Sequence, residues 1–414
     1  MTDVVVVGAG PAGTVAATVL ARAGARVVLI DRATFPRHKL CGDTLNPGVL
    51  ALLKRLNLAP IVETCGLKVA GMILTGERNA TIEGRYPGTL YGRSIARADL
   101  DWALIHDAVA AGVDFIDGTA VREAIVEHGG PSTRIAGVRV GSNGASRAVS
   151  AAVTICADGR HSTLAFALGL ARHPARPRRW AIGAYAEQVG GMSTFGEMHI
   201  RRGRYIGVAP LPNGITNVCL VKPSSGADPH LHDPMTTLRE ALFAEPLLRD
   251  RFANARFLSA PTVLGPLAVD AVESREIPEG LLLAGDASGF VDPMTGDGLR
   301  FAIRGGELAA DAALRVLEHG WTGVHERLAA TRRREFGPKR RFNTVLRAVV
   351  GSPLAVRVAT AAAPYAPSIL RALIVRAGDC DLVPSKSFNT ETTKNTEEAS
   401  GTQNGTISAR NEHV

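Results

Sequence analysis

The sequence is short of cysteine pairs, aromatic residues and long apolar runs, and each shortage excludes something. Its five cysteines (Cys41, Cys65, Cys156, Cys219 and Cys380) are scattered, odd in number and never spaced as CxxC. That argues against a disulfide framework or a zinc site, so no metal is expected and a reducing cytoplasm is the natural setting. No stretch approaches the roughly 18 consecutive apolar residues of a spanning helix, so the chain is not expected to cross a membrane. The apolar N-terminus does not read as a signal peptide either. Asp3 stands where a positive region should be, and Gly8, Gly10 and Gly13 interrupt the run. Aromatic residues make up only 5% of the chain. With so few stacking platforms, nucleic acid is not an expected partner.

What the chain does have is length and apolar content. Its 414 residues are 46% hydrophobic and 21% charged, enough for one large domain or two intimately joined ones. The β-branched run Val4–Val7 suits a strand buried on both faces of a parallel sheet. Residues 11–23 read as an Ala-rich helix and 26–31 as the next buried strand, which completes a βαβ unit. A loop over 32–47 leads to a Leu-rich helix ending near Leu58, and residues 69–87 read as a strand pair. An amphipathic helix is predicted over 98–111, with Leu100, Ala103, Leu104 and Ala108 on one stripe. Further strands are predicted at 113–117, 134–140 and 151–157.

From 181 to 222 the pattern changes to β-alternation with turn signals such as Pro212-Asn213-Gly214, which predicts an antiparallel sheet in a second lobe. A buried strand returns at 281–284 and a long helix follows Gly298. Helical segments with Pro353, Pro364 and Pro367 as breakers run to about residue 376. Beyond Cys380 the composition becomes Thr, Asn, Ser, Glu and Gly, too polar to offset its ordering entropy, so 380–414 is expected to be a disordered tail.

The formal charge is +8, and the excess is concentrated. Between Thr331 and Arg347 lie Arg332, Arg333, Arg334, Lys339, Arg340, Arg341 and Arg347 against the single acid Glu335. A solvated helix face is the plain reading of such a run, and peripheral contact with anionic lipid is the alternative. The apolar segment that follows, with Arg357, Arg371 and Arg376, could equally close over the second lobe. No protein partner is inferred.

Three segments carry chemistry. The first is Gly8-x-Gly10-x-x-Gly13, between a predicted strand and helix, with Asp31 closing the next strand. Gly8 permits the tight turn, Gly10 lets a pyrophosphate approach the backbone, and Gly13 lets helix and strand pack closely. The phosphates meet the free N–H groups and the positive end of the helix, with Pro11 and Ala12 in its first turn and Arg32 close by. Asp31 is placed to accept hydrogen bonds from a ribose diol. The second segment, Cys156-Ala157-Asp158-Gly159-Arg160-His161-Ser162, closes a buried strand. The third, Gly285–Gly298 (GDASGFVDPMTGDG), joins a buried strand to a long helix. Asp286 there can bind a ribityl hydroxyl, while Gly296, Gly298 and Leu299 bring helix N–H groups to the pyrimidine end of an isoalloxazine. Segments spread this widely suit an extended dinucleotide, FAD.

Together these segments resemble the flavoprotein superfamily that includes p-hydroxybenzoate hydroxylase-type aromatic hydroxylases and the geranylgeranyl reductases, over roughly residues 1–345. The loop Phe35-Pro36-Arg37-His38-Lys39-Leu40-Cys41-Gly42-Asp43 resembles that of the geranylgeranyl and menaquinone side-chain reductases. Ser288-Gly289 stand where the hydroxylases usually carry a His. The aromatic segment that lines the isoprenoid pocket of archaeal reductases has no clear counterpart, and the WxWxIP motif of tryptophan halogenases, which share the fold, is absent. The resemblance implies an α/β fold: a Rossmann-like FAD-binding domain of the glutathione reductase 2/hydroxylase type (1–68, 97–178 and 270–320). Into it is inserted an antiparallel substrate lobe (69–96 and 179–269), and C-terminal helices follow (321–379). It also implies flavin contacts at Cys41, Gly42, Arg97 and the backbone near Ala120, and gives Cys41 and Asp43 as catalytic candidates.

Each candidate has a plainer alternative. Cys41 can be a small buried side chain, Asp43 can cap a turn, and Asp158 can brace its loop. His199 and Tyr205 can serve core packing. The functional expectation is an FAD-dependent reductase saturating a carbon–carbon double bond of an isoprenoid or related lipid. With no second GxGxxG, NAD(P)H bound transiently is the expected electron donor, or another carrier. The alternatives are an NAD(P)H-using monooxygenase acting on a phenolic or polyketide-derived ring, and a non-enzymatic flavin-binding module.

Overall fold

A computed structural model describes residues 2–383 apart from 41, 77–80, 130–131, 142–145, 176–178, 225–227, 273–275, 292–295, 363–364 and 366. Its first sheet is built on Thr2–Val7, whose Val4, Val5 and Val6 are fully buried. That strand pairs in parallel with Val27–Ile30 on one side and Arg147–Cys156 on the other. Asp114–Ile116 and Leu281–Leu283 extend the sheet in parallel beyond them. Burial on both faces explains why Val4–Val7, Val27–Ile30 and Leu281–Leu283 are continuous runs of Val, Leu and Ile, each fully buried side chain contributing about 1.5–3 kcal/mol.

Between the first two strands runs the helix Pro11–Arg22, with Pro at its first position and Gly10 as N-cap. It packs against the long helix Gly298–His319 with almost no separation: a Cβ at Gly306 would lie 2.1 Å from the Ala12 carbonyl oxygen. The helix Arg97–Ala110 lies on the same face of the sheet and shares its core.

Arg147–Cys156 is longer than predicted. Its first half pairs antiparallel with Ser132–Val140, which in turn pairs with Val121–Gly129. That last strand is not anticipated from the sequence, because its exposed charges break the alternation.

The second sheet contains Arg256–Phe257, Arg179–Glu187, Thr216–Pro223, Arg204–Pro210, Phe195–Arg201, Gly71–Thr75 and Thr81–Arg85, in that order. It is antiparallel as predicted except that Phe195–Arg201 and Gly71–Thr75 run parallel, a pairing of distant segments that no local pattern encodes. Helices Pro234–Phe243 and Pro246–Phe252 cover its outer face. The inner face presents Ala181, Met198, Ile200, Tyr205 and Val221, with Leu264 and Leu267 packed beside them.

The C-terminal helices are Val324–Gly351, Pro353–Ala362 and Pro367–Ala377. Part of the basic run on the first of them is not a solvated face. Lys339 is fully buried, 3.0 Å from both Asp297 and Asp379, and its ammonium donates to the Ala377 carbonyl at 2.9 Å. Two aromatics stand within the run, and neither is an open platform: Phe336 is buried against Phe301, and the Lys339 ammonium lies over the Phe342 ring. Cys380–Leu382, expected to open the disordered tail, instead form a 3-10 turn with Cys380 buried, because Asp379 is bound by Lys339 and Arg300. Residues 384–414 lie outside the described residues.

Candidate functional site

Strand ends and helix starts converge on one cavity of about 660 Å³, within the usual size of cofactor pockets, roughly 300–1,000 Å³. The turn after the first strand forms one wall. Gly8 has φ +99°, and a Cβ there would lie 2.6 Å from the Ala157 carbonyl oxygen. Gly13 is packed as tightly, with a Cβ position 1.9 Å from the Gly8 carbonyl oxygen. At Gly10 the same test finds only an Arg37 guanidinium nitrogen, at 3.6 Å. Gly8 and Gly13 therefore serve the packing of the turn, while Gly10 keeps its backbone open to the cavity.

Asp31 holds this turn. Its two carboxylate oxygens accept from the Ala9 N–H at 2.7 Å and the Ala33 N–H at 2.8 Å. Each oxygen retains a lone pair for a ligand. Asp158 closes the neighbouring strand, accepting from the Thr163 N–H at 2.8 Å, while its other oxygen is buried without a hydrogen-bond partner. Burial pushes the Asp158 carboxyl up. Asp286 also lines the cavity, and among the described residues its carboxylate makes no hydrogen bond or ion pair. Burial raises its carboxyl against the opposing charges of Lys39, Arg160 and Arg97.

The cavity wall carries six cations, Arg32, Arg37, Lys39, Arg97, Arg122 and Arg160, against the three carboxylates Asp31, Asp158 and Asp286. Lys39 lines it with no ionic partner among the described residues, and its ammonium falls to about 8 through burial and then repulsion from Arg97 and Arg37. An excess of cations around an open glycine turn and a helix start fits a diphosphate.

The chain matches the family model described as FAD binding domain over residues 1–334. It belongs to the FAD-dependent oxidoreductases. Among curated relatives, menaquinone reductase of Mycolicibacterium smegmatis is 32% identical over 75% of each chain. Digeranylgeranylglycerophospholipid reductase 2 of Methanopyrus kandleri is 28% identical over 78% of this chain and 79% of its own. The solved structure of a geranylgeranyl bacteriochlorophyll reductase-like protein from Thermoplasma acidophilum superposes with TM-score 0.74 at 21% identity, covering 96% of this chain and 98% of the other. The flavin-dependent brominase Bmp2 superposes with TM-score 0.76 at 19% identity, over 96% and 98%. At such identities the two structures show the fold alone, which this chain shares over nearly its whole length.

The oxidoreductase brings most of the sequence-predicted positions to this single cavity. Gly8, Gly10, Pro11, Ala12, Asp31, Arg32, Gly42, Arg97, Ala120, Asp158, Gly285, Asp286, Gly298 and Leu299 all line it. Three predicted positions do not. Gly13 supports the turn from behind, Gly296 is exposed with φ +76°, and Asp43 sits behind the wall. Cys41 lies outside the described residues, as do 292–295 of the third motif.

Asp43 takes a bracing position. It is buried, and it accepts from the Arg97 backbone N–H at 2.9 Å, the Tyr185 hydroxyl at 3.1 Å and the Asn217 side-chain amide. Burial holds its carboxyl up at about 6, against the pull of Arg97 and these hydrogen bonds. Asp43 thus ties the loop that ends the Phe35–Asp43 motif to the inner face of the second sheet. His199 and Tyr205 stand apart from the cavity. His199 is bonded to Thr75 at 2.9 Å and Glu197 at 3.0 Å, and Tyr205 packs in the core of the second sheet.

Lys39, Arg37, Arg160 and His161 line the cavity without having been singled out, although all four lie inside motifs legible in the sequence. Thr119, Arg122, Leu264 and Leu267 line it too, and no local signal marks them. Asp101, buried on the helix Arg97–Ala110, anchors Arg97 at 2.9 Å and Arg37 at 3.3 Å. Only its spacing four residues after Arg97 hinted at that role.

Proposed function

We propose that the protein reduces a carbon–carbon double bond in an isoprenoid or related lipid, with electrons from NAD(P)H or another carrier. The observation that carries this reading is the place of the Phe35–Asp43 loop. It lies between the cavity and the apolar inner face of the second sheet, where a Cβ at Gly183 would lie 2.2 Å from Leu40 and where Asp43 meets Tyr185 and Asn217. Leu264 and Leu267 belong both to the cavity wall and to that apolar face, so an apolar substrate lying on the sheet would reach the cavity. The menaquinone and digeranylgeranylglycerophospholipid reductases among the relatives support the same class.

Bound FAD would supply hydride transfer. Gly10 and the start of the helix Pro11–Arg22 would hold its diphosphate, and Asp31 a ribose. Asp286 would hold the ribityl chain, with Arg97, Gly298 and Leu299 at the flavin ring. The residues fit: two carboxylates and one ammonium on the wall keep bonding capacity that no protein group among the described residues uses. Asp43, with Tyr185 and Asn217, would fix the loop carrying Cys41, the remaining catalytic candidate.

The test is anaerobic turnover with NADH or NADPH on a panel of prenyl quinones, prenyl lipids and alkylphenols, read by mass spectrometry. A product heavier by two hydrogens is expected. A product that forms only with O₂ and gains one oxygen atom would overturn this reading in favour of a monooxygenase. Cys41→Ala should retain FAD while losing turnover; equal loss of flavin would make Cys41 structural.

A further inference from the structure

We propose that the C-terminal helices form a docking face for an anionic lipid bilayer. Leu354 and Val358 stand one turn apart on the helix Pro353–Ala362 and are 68% and 60% exposed. Tyr365 in the link is 90% exposed, and Ile369 and Leu373, one turn apart on Pro367–Ala377, are 63% and 42% exposed. Val345, late in the preceding helix, is 64% exposed. The other exposed large apolar residues, such as Val109 and Phe243, are scattered singly at 50% or less. Single exposures are ordinary on soluble proteins, whereas a concentration of them marks an interaction surface.

Charge selects the occupant. Residues 336–378 contain seven basic residues and no Asp or Glu. Lys339 is buried, but Arg341, Arg357 and Arg371 are exposed among the apolar positions. Apolar helical stripes flanked by arginine suit an interface that is hydrocarbon on one side and anionic headgroups on the other. No helix among the described residues is long and apolar enough to cross a membrane, so the contact is peripheral.

The last of these helices is anchored to the rest of the protein. Ile374 packs over Gly84 of the second sheet, and the Lys339 ammonium donates to the Arg376 and Ala377 carbonyls at the end of that helix. An apolar seam starts next to exposed Val345: its sequence neighbour Leu346 packs in the cluster containing Leu264 and Leu267, which line the cavity. A lipid drawn from the bilayer would meet apolar side chains along this seam. That last step rests on the lipid-substrate reading above, while the docking itself does not.

The test is sedimentation of the full-length holoprotein with vesicles of phosphatidylcholine, alone or mixed with phosphatidylglycerol. Binding is expected only with the anionic lipid and should fall as salt is raised. Arg357→Glu with Arg371→Glu should weaken it at least tenfold, since each lost Arg accounts for roughly a fivefold change near such a surface. Leu354→Glu with Ile369→Glu should abolish it, and unchanged FAD content and melting temperature would show that the fold is intact. Absence of binding to anionic vesicles at low salt would overturn the proposal. So would a concentration-dependent dimer that the Leu354→Glu/Ile369→Glu pair dissociates, which would assign the face to a second copy of the chain. Turnover of a detergent-solubilised prenyl quinone reports on the reductase reading separately, because it needs no bilayer.

Discussion

Adding one methyl group at Gly10 or at Gly13 should have opposite consequences, although the two glycines lie in one motif three residues apart. At Gly10 the backbone has φ −77° and ψ 177°, which any residue adopts, and the added Cβ meets only a flexible guanidinium at 3.6 Å. Gly10→Ala should therefore leave the apoprotein unharmed, or stabilise it by about 0.4–1 kcal/mol through the unfolded chain. The methyl occupies the space a diphosphate needs, so at least one charge-assisted backbone hydrogen bond is lost. At about 1.5–3 kcal/mol for such a bond, FAD affinity should fall roughly 10- to 150-fold.

At Gly13 the Cβ would lie 1.9 Å from a backbone carbonyl oxygen and 3.1 Å from the Ala157 methyl, so the helix must move off the strand. Overpacking against backbone costs about 3 kcal/mol, and the gain of about 1 kcal/mol in helix propensity offsets only part. The apoprotein should melt ~4 °C lower, at ~2 °C per kcal/mol for a chain of this size. Differential scanning calorimetry of both apoproteins and flavin-fluorescence titration with FAD measure the two quantities. Unchanged FAD affinity in Gly10→Ala, or a loss of apoprotein stability in it equal to that of Gly13→Ala, would refute the division of roles.

Two further predictions concern buried charge. Asp43 holds its proton more tightly folded than unfolded, so the stability it lends is full below about pH 4 and is lost as pH rises through about 6. The displacement corresponds to ~3 kcal/mol at most, and Asp43→Asn should remove that part of the pH dependence of urea unfolding; a constant offset between the two proteins across pH 4–7 would contradict it. Lys339→Met removes the ammonium that lies between Asp297 and Asp379 and should cost about 3–5 kcal/mol, partly restored by adding Asp297→Asn. A change below about 1 kcal/mol in thermal or urea unfolding would mean the buried network is not organised around Lys339.

What the sequence alone determined is whatever depends on neighbours along the chain. The Val4–Val7 strand, the turn at Gly8–Gly13, Asp31 and the Gly285–Gly298 segment were legible because a strand, a tight turn and a helix start each impose residue types at fixed short spacing. FAD followed from those segments together with Cys156–Ser162, and the reductase expectation from the resemblance of the separate loop Phe35–Asp43. Tertiary structure decided what depends on distant segments meeting. Asp43, a catalytic candidate by its loop, lies behind the cavity wall because Tyr185 and Asn217 arrive from another sheet to bind it. Gly13 and Gly296 left the cavity wall, and Lys39 joined it. The parallel pairing of Phe195–Arg201 with Gly71–Thr75 joins segments more than a hundred residues apart, which a period-2 pattern cannot specify. Part of a basic run that reads as a solvated surface lies inside, since buried Asp297 and Asp379 compensate Lys339. A cation's place is set by where its counter-charges fold, and a linear pattern does not contain that.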